Sequence, residues 1–170
     1  AKLEEMEKDD TLIGIQNLGK VVGIGPKFIQ KLLKLKIQSV PTLKQAYKKG
    51  DISLNNQQIL GITYFDDLNK RIPRKDIISF EKELNKIVSS IDNNLNVVIT
   101  GSYRRKTKES GDIDILLSHN RIITKKELKR LKKNYIDIIV ENLDNKFKQV
   151  GALAQGLSKY MGLHKINNKI

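Results

Sequence analysis

The segment Gly101–Leu117, GSYRRKTKESGDIDILL, holds the residues best suited to chemistry. Asp112 and Asp114 stand two apart in DIDILL, which alternates polar and apolar at first and reads as a strand over 112–117. Side chains at i and i+2 of a strand share a face, roughly 6–7 Å apart along it. Two carboxylates so placed repel each other unless cations sit between them. They can reach one pair of Mg²⁺ ions, which lie about 3.5–4 Å apart in two-metal enzymes. Mg²⁺ prefers hard oxygen ligands and often shares them with substrate phosphates. Ile113, Ile115 and Leu117 then point to the other face and anchor the strand in a core. Ahead of the aspartates, Arg104, Arg105, Lys106 and Lys108 supply cations, and an arginine clamps a phosphate through two parallel hydrogen bonds. Ser102 and the amides near it follow a buried strand and face an anion as a phosphate cradle would. A lone D-x-D is more often an exposed strand with solvated carboxylates; the long pattern before it sets this one apart.

A second candidate is Gly19–Lys27, GKVVGIGPK, between two predicted helices. Gly23 and Gly25 let the backbone turn sharply and approach a partner with no Cβ in the way. Pro26 then opens a helix whose free N–H groups and dipole favour an anion. The phosphate of a nucleic-acid backbone fits there, in a contact that carries no base information.

The elements that must position these residues are legible in outline. Residues 1–72 read as helical, in short apolar-periodic stretches broken by Gly, Pro and Asn. Leu12, Ile15 and Leu18 mark one helix; Phe28, Leu32, Leu33 and Leu35 mark the next. Pro41 opens a third, and Asn55 caps a fourth that Gly61 ends. Arg71-Ile72-Pro73-Arg74 reads as a boundary, because the residue before proline leaves the helical region. A long amphipathic helix from Arg74 to about Ser90 follows, then a β-branched run, Val97–Thr100. Leu128, Leu131, Tyr135, Ile138 and Ile139 have helical spacing, and 147–150 and 159–166 are weaker strand candidates. Tyr64 and Phe65 read as core packing, and His119 and His164 as structural or surface histidines.

The chain has 32 Lys and Arg against 19 Asp and Glu, a net charge of +13. A field of that sign attracts polyanions, of which nucleic acid is the commonest. There is no Cys, so disulfides and thiolate metal sites are excluded and a reducing compartment fits. No apolar stretch approaches the ~20 residues that span a bilayer, so no membrane partner is expected. The start, AKLEEMEKDD, is a charged helical pattern and not a signal peptide. The expected location is intracellular, in nucleus or cytoplasm. Both ends read as cut, the start lacking Met and the end reading KINNKI.

The full pattern, G-S-Y-R-R, six residues, then D-x-D, closely resembles the nucleotidyltransferase signature of family X DNA polymerases, the DNA polymerase beta-like group. VVGIGPKFIQKLL resembles that family's helix-hairpin-helix motif. Lys8–Thr11 (KDDT), Lys70–Arg74 (KRIPR) and Gly156–Gly162 (GLSKYMG) match other family stretches, so the resemblance covers nearly the whole chain. It implies an α+β fold: the end of a connecting helix over 1–10, a helix-hairpin-helix DNA-binding subdomain over 11–73, and a nucleotidyltransferase palm over 74–170 with a small mixed sheet, incomplete at its C-terminus. It implies repair-type DNA polymerase activity, adding deoxynucleotides to a primer 3′ end in short gaps, with a monomer working on primer-template or gapped DNA and a deoxynucleoside triphosphate. A template-independent terminal nucleotidyltransferase and a non-catalytic DNA-binding module are the alternatives.

By motif position, the resemblance gives Asp112 and Asp114 to two Mg²⁺, with Mn²⁺ able to substitute, and Ser102, Arg105, Ser110 and Gly111 to the triphosphate. Gly23, Gly25, Lys27 and Phe28 bind primer phosphates through backbone amides. The carbonyls of Gly19, Val21 and Ile24 hold a monovalent cation, K⁺ or Na⁺. Ser158 and Lys159 lie along the template strand. The family's third aspartate comes from a later R-x-D-x-R strand. Tyr135-Ile136-Asp137-Ile138 resembles it superficially, but the apolar spacing there is helical. A C-terminal companion segment carrying that aspartate is therefore expected, and the 170 residues alone are expected not to polymerise.

Overall fold

A computed structural model describes residues 2–122, 124–131 and 133–166; the side chains of 2–8 and 125 lie outside that description, as does the ending 167–170. The chain forms two compact units, Ala1–Phe65 and Asp66–Ile170. The boundary falls before the expected one at Pro73. The reason is pairing: Ile72–Pro73 (β1) lie antiparallel to Glu109–Ser110 (β3), which ties KRIPR to the second unit.

The first unit is built from α1 (Lys2–Gly19), α2 (Pro26–Lys34), α3 (Val40–Lys49) and α4 (Asn56–Thr63); a short α5 (Phe65–Leu68) begins at its end. Its core takes Leu18 from α1, Leu32 from α2 and Leu43 from α3, all with no exposed surface. Each such leucine contributes about 1.5–3 kcal/mol by leaving water. Phe65 packs on the same core, as expected. Pro26 lies at the start of α2 and Pro41 at that of α3, where Ser39 accepts from the Thr42 amide. Asn55 caps α4 in a reciprocal box with Gln58. Gly61 does not end α4. It sits inside the helix, where an added Cβ would come 2.7 Å from the Val22 carbonyl oxygen, so its smallness lets α4 lie against the α1–α2 turn.

In the second unit, α6 (Arg74–Ile91) buries a stripe of Ile77, Phe80, Leu84 and Val88. These meet Leu95 and Ile99 of β2 (Leu95–Ile99) and Ile139, Leu143 and Phe147 in and after α9 (Tyr135–Lys146). The Phe80 and Phe147 rings lie 5.1 Å apart. β2 pairs antiparallel with β4 (Ile115–His119), from Leu95↔His119 to Ile99↔Ile115, and β5 (Gln149–Gln155) pairs with β6 (Tyr160–His164). The α+β class holds, with the described strands in antiparallel pairs.

Three expectations for this unit need correction. The strand expected over 112–117 begins at Ile115, because its partner β2 stops where Gly101 turns with φ +60°. One further bond, Thr100 N–H to the Asp114 carbonyl at 2.8 Å, extends the ladder to Asp114, and Asp112 lies beyond it. Ile113 and Leu117 pack on the core as expected, but Ile115 is 42% exposed and does not anchor it. The helical spacing over 128–139 covers two helices, α8 (Lys125–Arg130) and α9. Extended backbone at Leu131 ends the first, and Asn134 caps the second by accepting from the amides of Ile136 and Asp137.

Candidate active site

The segment from Thr100 to Asp114 leaves the end of β2, makes the single turn α7 (Gly101–Arg104), and returns through β3 to the head of β4. Positive φ at Gly101 and Lys106 gives the reversals. At Gly101 a side chain is excluded twice: by that φ, and because a Cβ would run into the Asp114 carboxylate. The two ends of the motif therefore touch, and the GS turn is what the second aspartate rests on.

The loop is held from α6. The Arg74 guanidinium donates to the Tyr103 carbonyl at 2.8 Å and stacks on the Tyr103 ring, 4.2 Å from its centroid. The Arg74 amide donates to the Lys108 carbonyl. The Tyr103 hydroxyl donates to Glu81 at 2.6 Å, and that bond, with burial second, pushes the phenol upward from its ordinary pKa. Thr107 closes the turn: its amide donates to the Ser102 carbonyl, and its hydroxyl lies 3.0 Å from the same oxygen. Arg74, Glu81, Tyr103 and Thr107 were not singled out from sequence. Arg74 stood out only as part of a boundary, and Glu81 has no local signal, because its partner lies 22 residues away.

Asp112 and Asp114 are exposed, and among the described residues neither carboxylate has an ion pair or a hydrogen-bond donor. The side chains of Arg104, Arg105, Lys106 and Lys108 are likewise exposed without an acidic partner. Cations and anions on one loop thus leave each other free for something else. Ser102 is half-buried and Gly111 exposed, while Ser110 is 1% exposed, so its hydroxyl points inward. No group of three or more His, Cys, Asp or Glu is gathered for a metal among the described residues. Two carboxylates are nonetheless the hard-oxygen donors Mg²⁺ takes when waters and substrate phosphates complete its shell, so Asp112 and Asp114 fit part of such a site.

In the first unit, the turn between α1 and α2 is internally braced. Gly23 has φ +80°, and its carbonyl accepts from the buried Gln58 side chain at 3.0 Å. Gly25 needs no left-handed backbone, with φ −101° and ψ 174°, and an added Cβ would meet nothing within 4 Å. The Phe28 amide, expected to face phosphate, donates to the Gly25 carbonyl at 2.9 Å. The amides of Gly25 and Lys27 have no partner among the described residues. Gly25, Pro26, Lys27 and Phe28 line one shallow depression. Of the three expected cation-binding carbonyls, that of Val21 already accepts from the Ile24 amide at 3.1 Å.

Ser158 and Lys159 are exposed at the turn of the β5–β6 hairpin, closed by the Gly156 amide donating to the Lys159 carbonyl. Asp137 lies in the first turn of α9, and its carboxylate accepts from Asn134 and Gln155 at 2.6 and 2.7 Å, as a structural residue would. His119 and His164 are structural too, engaged with Asp92 and with Tyr160 and the Phe147 carbonyl.

Residues 71–170 match the family model described as DNA polymerase beta palm. The chain is 32% identical over 168 residues to DNA polymerase lambda of Arabidopsis thaliana, a match covering 96% of this chain and 30% of that protein. It is 26% identical over 110 residues to DNA polymerase lambda of Rattus norvegicus, covering 65% and 18%. To DNA nucleotidylexotransferase of Xenopus laevis it is 24% identical over 117 residues, covering 69% and 22%. It thus spans under a third of the length of these relatives. The matched segment contains the whole loop from Gly101 to Asp114 and the α6 residues that hold it, and the chain belongs to the family X, DNA polymerase beta-like, polymerases.

Proposed function

We propose that this chain carries the DNA-gripping turn and the nucleotide-binding palm of a repair-type DNA polymerase, one that adds deoxynucleotides to a primer 3′ end in short gaps inside the cell. The observation that carries this reading is the pair of exposed carboxylates, Asp112 and Asp114, which have no protein donor among the described residues and lie on one loop with cations that have no acidic partner among them. Asp112 and Asp114 would hold two Mg²⁺, which when bound stabilise the attacking and leaving oxygens of nucleotidyl transfer. Arg105, with the backbone around Ser102, Ser110 and Gly111, binds and orients the triphosphate. The primer 3′-oxygen then displaces pyrophosphate from the α-phosphorus. Asp137 is not the base for the primer hydroxyl, since Asn134 and Gln155 occupy it; a further carboxylate outside the 170 residues takes that part. The Gly25 and Lys27 amides grip primer phosphates, the carbonyls of Gly19, Val21 and Ile24 would hold K⁺ or Na⁺, and Ser158 and Lys159 run along the template.

The test is primer extension on a one-nucleotide gap with Mg²⁺, with and without a template strand, by the protein that contains this chain. Incorporation directed by the template is expected. Untemplated addition of comparable rate would favour a terminal transferase, and binding without incorporation a DNA-binding module. In parallel, the 170-residue chain alone is expected to show no extension.

A further inference from the structure

The charge of this chain is not spread evenly. Residues 121–133, RIITKKELKRLKK, hold seven Lys and Arg and one Glu, a net +6 that is close to half of the whole chain's +13. This stretch follows β4, so the five residues of that strand, roughly 15 Å, separate it from Asp114. Neither the nucleotide loop nor the turn of the first unit uses it.

Its geometry favours an anionic partner. Lys126, Lys129 and Arg130 stand at i, i+3 and i+4 on α8, a spacing that brings like charges together on one side and costs a helix a few tenths of a kcal/mol per pair. α8 is six residues long, and its Thr124–Glu127 capping box and the helix dipole at Lys129 and Arg130 offset only part of that repulsion. Lys133 follows in the connection to α9. Arg121, Lys126, Lys129, Arg130 and Lys133 are all exposed, and none has an ion pair among the described residues.

Among the described residues the nearby carboxylates make no ion pair with these five cations. Glu127 is turned back on its own helix start, accepting from the Thr124 amide at 2.8 Å and hydroxyl at 2.9 Å. Asp92 is filled by Tyr135, Asn94 and His119. Arg121 and Arg130, from different elements, line one open cavity together with the carboxylates of Asp92 and Glu127, both engaged by other donors, and with Asn94, His119 and Tyr135. Two guanidinium groups at one cavity, continued by a row of lysines, match the spaced single charges of a phosphodiester backbone.

We propose that Arg121, Lys126, Lys129, Arg130 and Lys133 form a second nucleic-acid contact in this chain, on the palm, which binds the phosphates of duplex DNA without reading sequence. The contact does not depend on the chemistry proposed above: a chain that failed to incorporate nucleotides would still show it.

The test uses the 170-residue chain, a fluorescein-labelled 20-base-pair duplex, and a salt series. Each phosphate contact with duplex DNA contributes about 0.9 to the slope of log affinity against log salt. Lys126→Gln/Lys129→Gln/Lys133→Gln is expected to lower the slope by about 2–3, and Arg121→Gln/Arg130→Gln by about 1–2. Lys27→Gln, in the first unit, reports the turn's own share and is expected to lower it by about 1 at most. The arginine variant Lys126→Arg/Lys129→Arg/Lys133→Arg keeps the slope, which excludes a fold defect, and circular dichroism of each variant checks the same point. Lysine acylation with and without duplex gives an independent reading, with Lys126, Lys129 and Lys133 protected by DNA. An unchanged slope in the triple glutamine variant, or lysines equally reactive with and without duplex, overturns the proposal. So does a patch whose neutralisation abolishes binding to polyglutamate while leaving duplex binding intact, because the partner is then an acidic polypeptide.

Discussion

The two ends of β4 treat the same side chain in opposite ways. At its last residues, the Asp92 carboxylate accepts from the Tyr135 hydroxyl at 2.6 Å, from the amide and side chain of Asn94 at 2.8 and 2.9 Å, and from His119 Nε2 at 3.4 Å. His119 Nδ1 accepts from the Arg121 amide, which leaves Nε2 as the donor to Asp92. At the strand's head, Asp112 and Asp114 have no donor at all among the described residues. A carboxylate filled from every side fixes backbone in place, as Asp92 fastens the end of α6 to β4 and α9. A carboxylate left exposed in a folded loop without a donor, as Asp112 and Asp114 are among the described residues, fastens nothing in place. Partner count therefore marks Asp92 as a structural aspartate and sets Asp112 and Asp114 apart from it.

The sharpest way to break this comparison is to neutralise the empty pair. In the protein containing this chain, Asp112→Asn or Asp114→Asn is expected to lower nucleotide incorporation by at least ~10²–10³-fold, the scale of losing one preorganised charge-stabilising group. Urea unfolding of the chain is expected to shift little, because neither carboxylate has a hydrogen-bond or ion-pair partner to lose among the described residues. Near-normal incorporation with Mg²⁺ would end the metal assignment; strong destabilisation would show that these carboxylates have a structural partner after all.

Next in size is Gly101→Ala. The left-handed backbone there costs an alanine about 1–2 kcal/mol, and its Cβ meets the Asp114 carboxylate. A loss of about 2–3 kcal/mol by denaturant unfolding is expected, with incorporation reduced because Asp114 is pushed from its place. A variant that kept both stability and activity would mean that the GS turn and Asp114 do not rest on each other.

Smaller still is Tyr103→Phe, which keeps the ring under Arg74 but removes the bond to Glu81. A loss of about 1–2 kcal/mol is expected. If the loop's position matters to nucleotide binding, KM for the nucleotide rises more than kcat falls. Glu81→Gln in the original chain, which can still accept from the Tyr103 hydroxyl, is expected to lose less.

What the sequence revealed divides along the same lines. The empty aspartates, the Gly-Ser turn and the cations lie within 14 residues, so their pattern was readable in one pass. So were the Pro41 and Asn55 helix starts and the Ile77–Val88 stripe, which are local and periodic. What stayed hidden was tertiary. Glu81 and Arg74 matter through Tyr103, and Gly61 through Val22. The head of β4 was misplaced by three residues because a strand begins where its partner allows, and β2 ends at Ile99. The alternation in DIDILL was real in part: Ile113 and Leu117 do face the core. Ile115 escapes it because nothing covers that stretch of the sheet among the described residues. Asn134 splits the 128–139 region although the apolar spacing runs through it, since a capping side chain leaves no mark on periodicity.

The smallest expected effect tests the filled end of β4. Asp92→Asn keeps the side chain's size and one accepting oxygen, so Tyr135 or Asn94 still finds a partner and the fold survives at neutral pH with a modest loss of stability. The distinctive signature is in acid. The Tyr135 hydroxyl, then the Asn94 amide and side chain, hold the Asp92 carboxyl well below the ordinary carboxylate range, with His119 adding to them and partial burial opposing. A group depressed on folding contributes stability that is fully present above its unfolded pKa, near ~3.9, and lost as pH falls through the folded value. The original chain should therefore exceed the asparagine variant in stability by a constant margin from pH 7 down to about pH 5, and the margin should shrink progressively below about pH 4. The same bond pushes the Tyr135 phenol upward, so absorbance titration should show that tyrosine ionising later in the original chain than in the variant. Urea midpoints at pH 7, 5 and 3 for the two proteins decide the matter. A margin that stayed constant to pH 3 would mean that Asp92 gains nothing from its donors as an anion, and partner count would lose its value as a guide to which aspartates in this chain are structural.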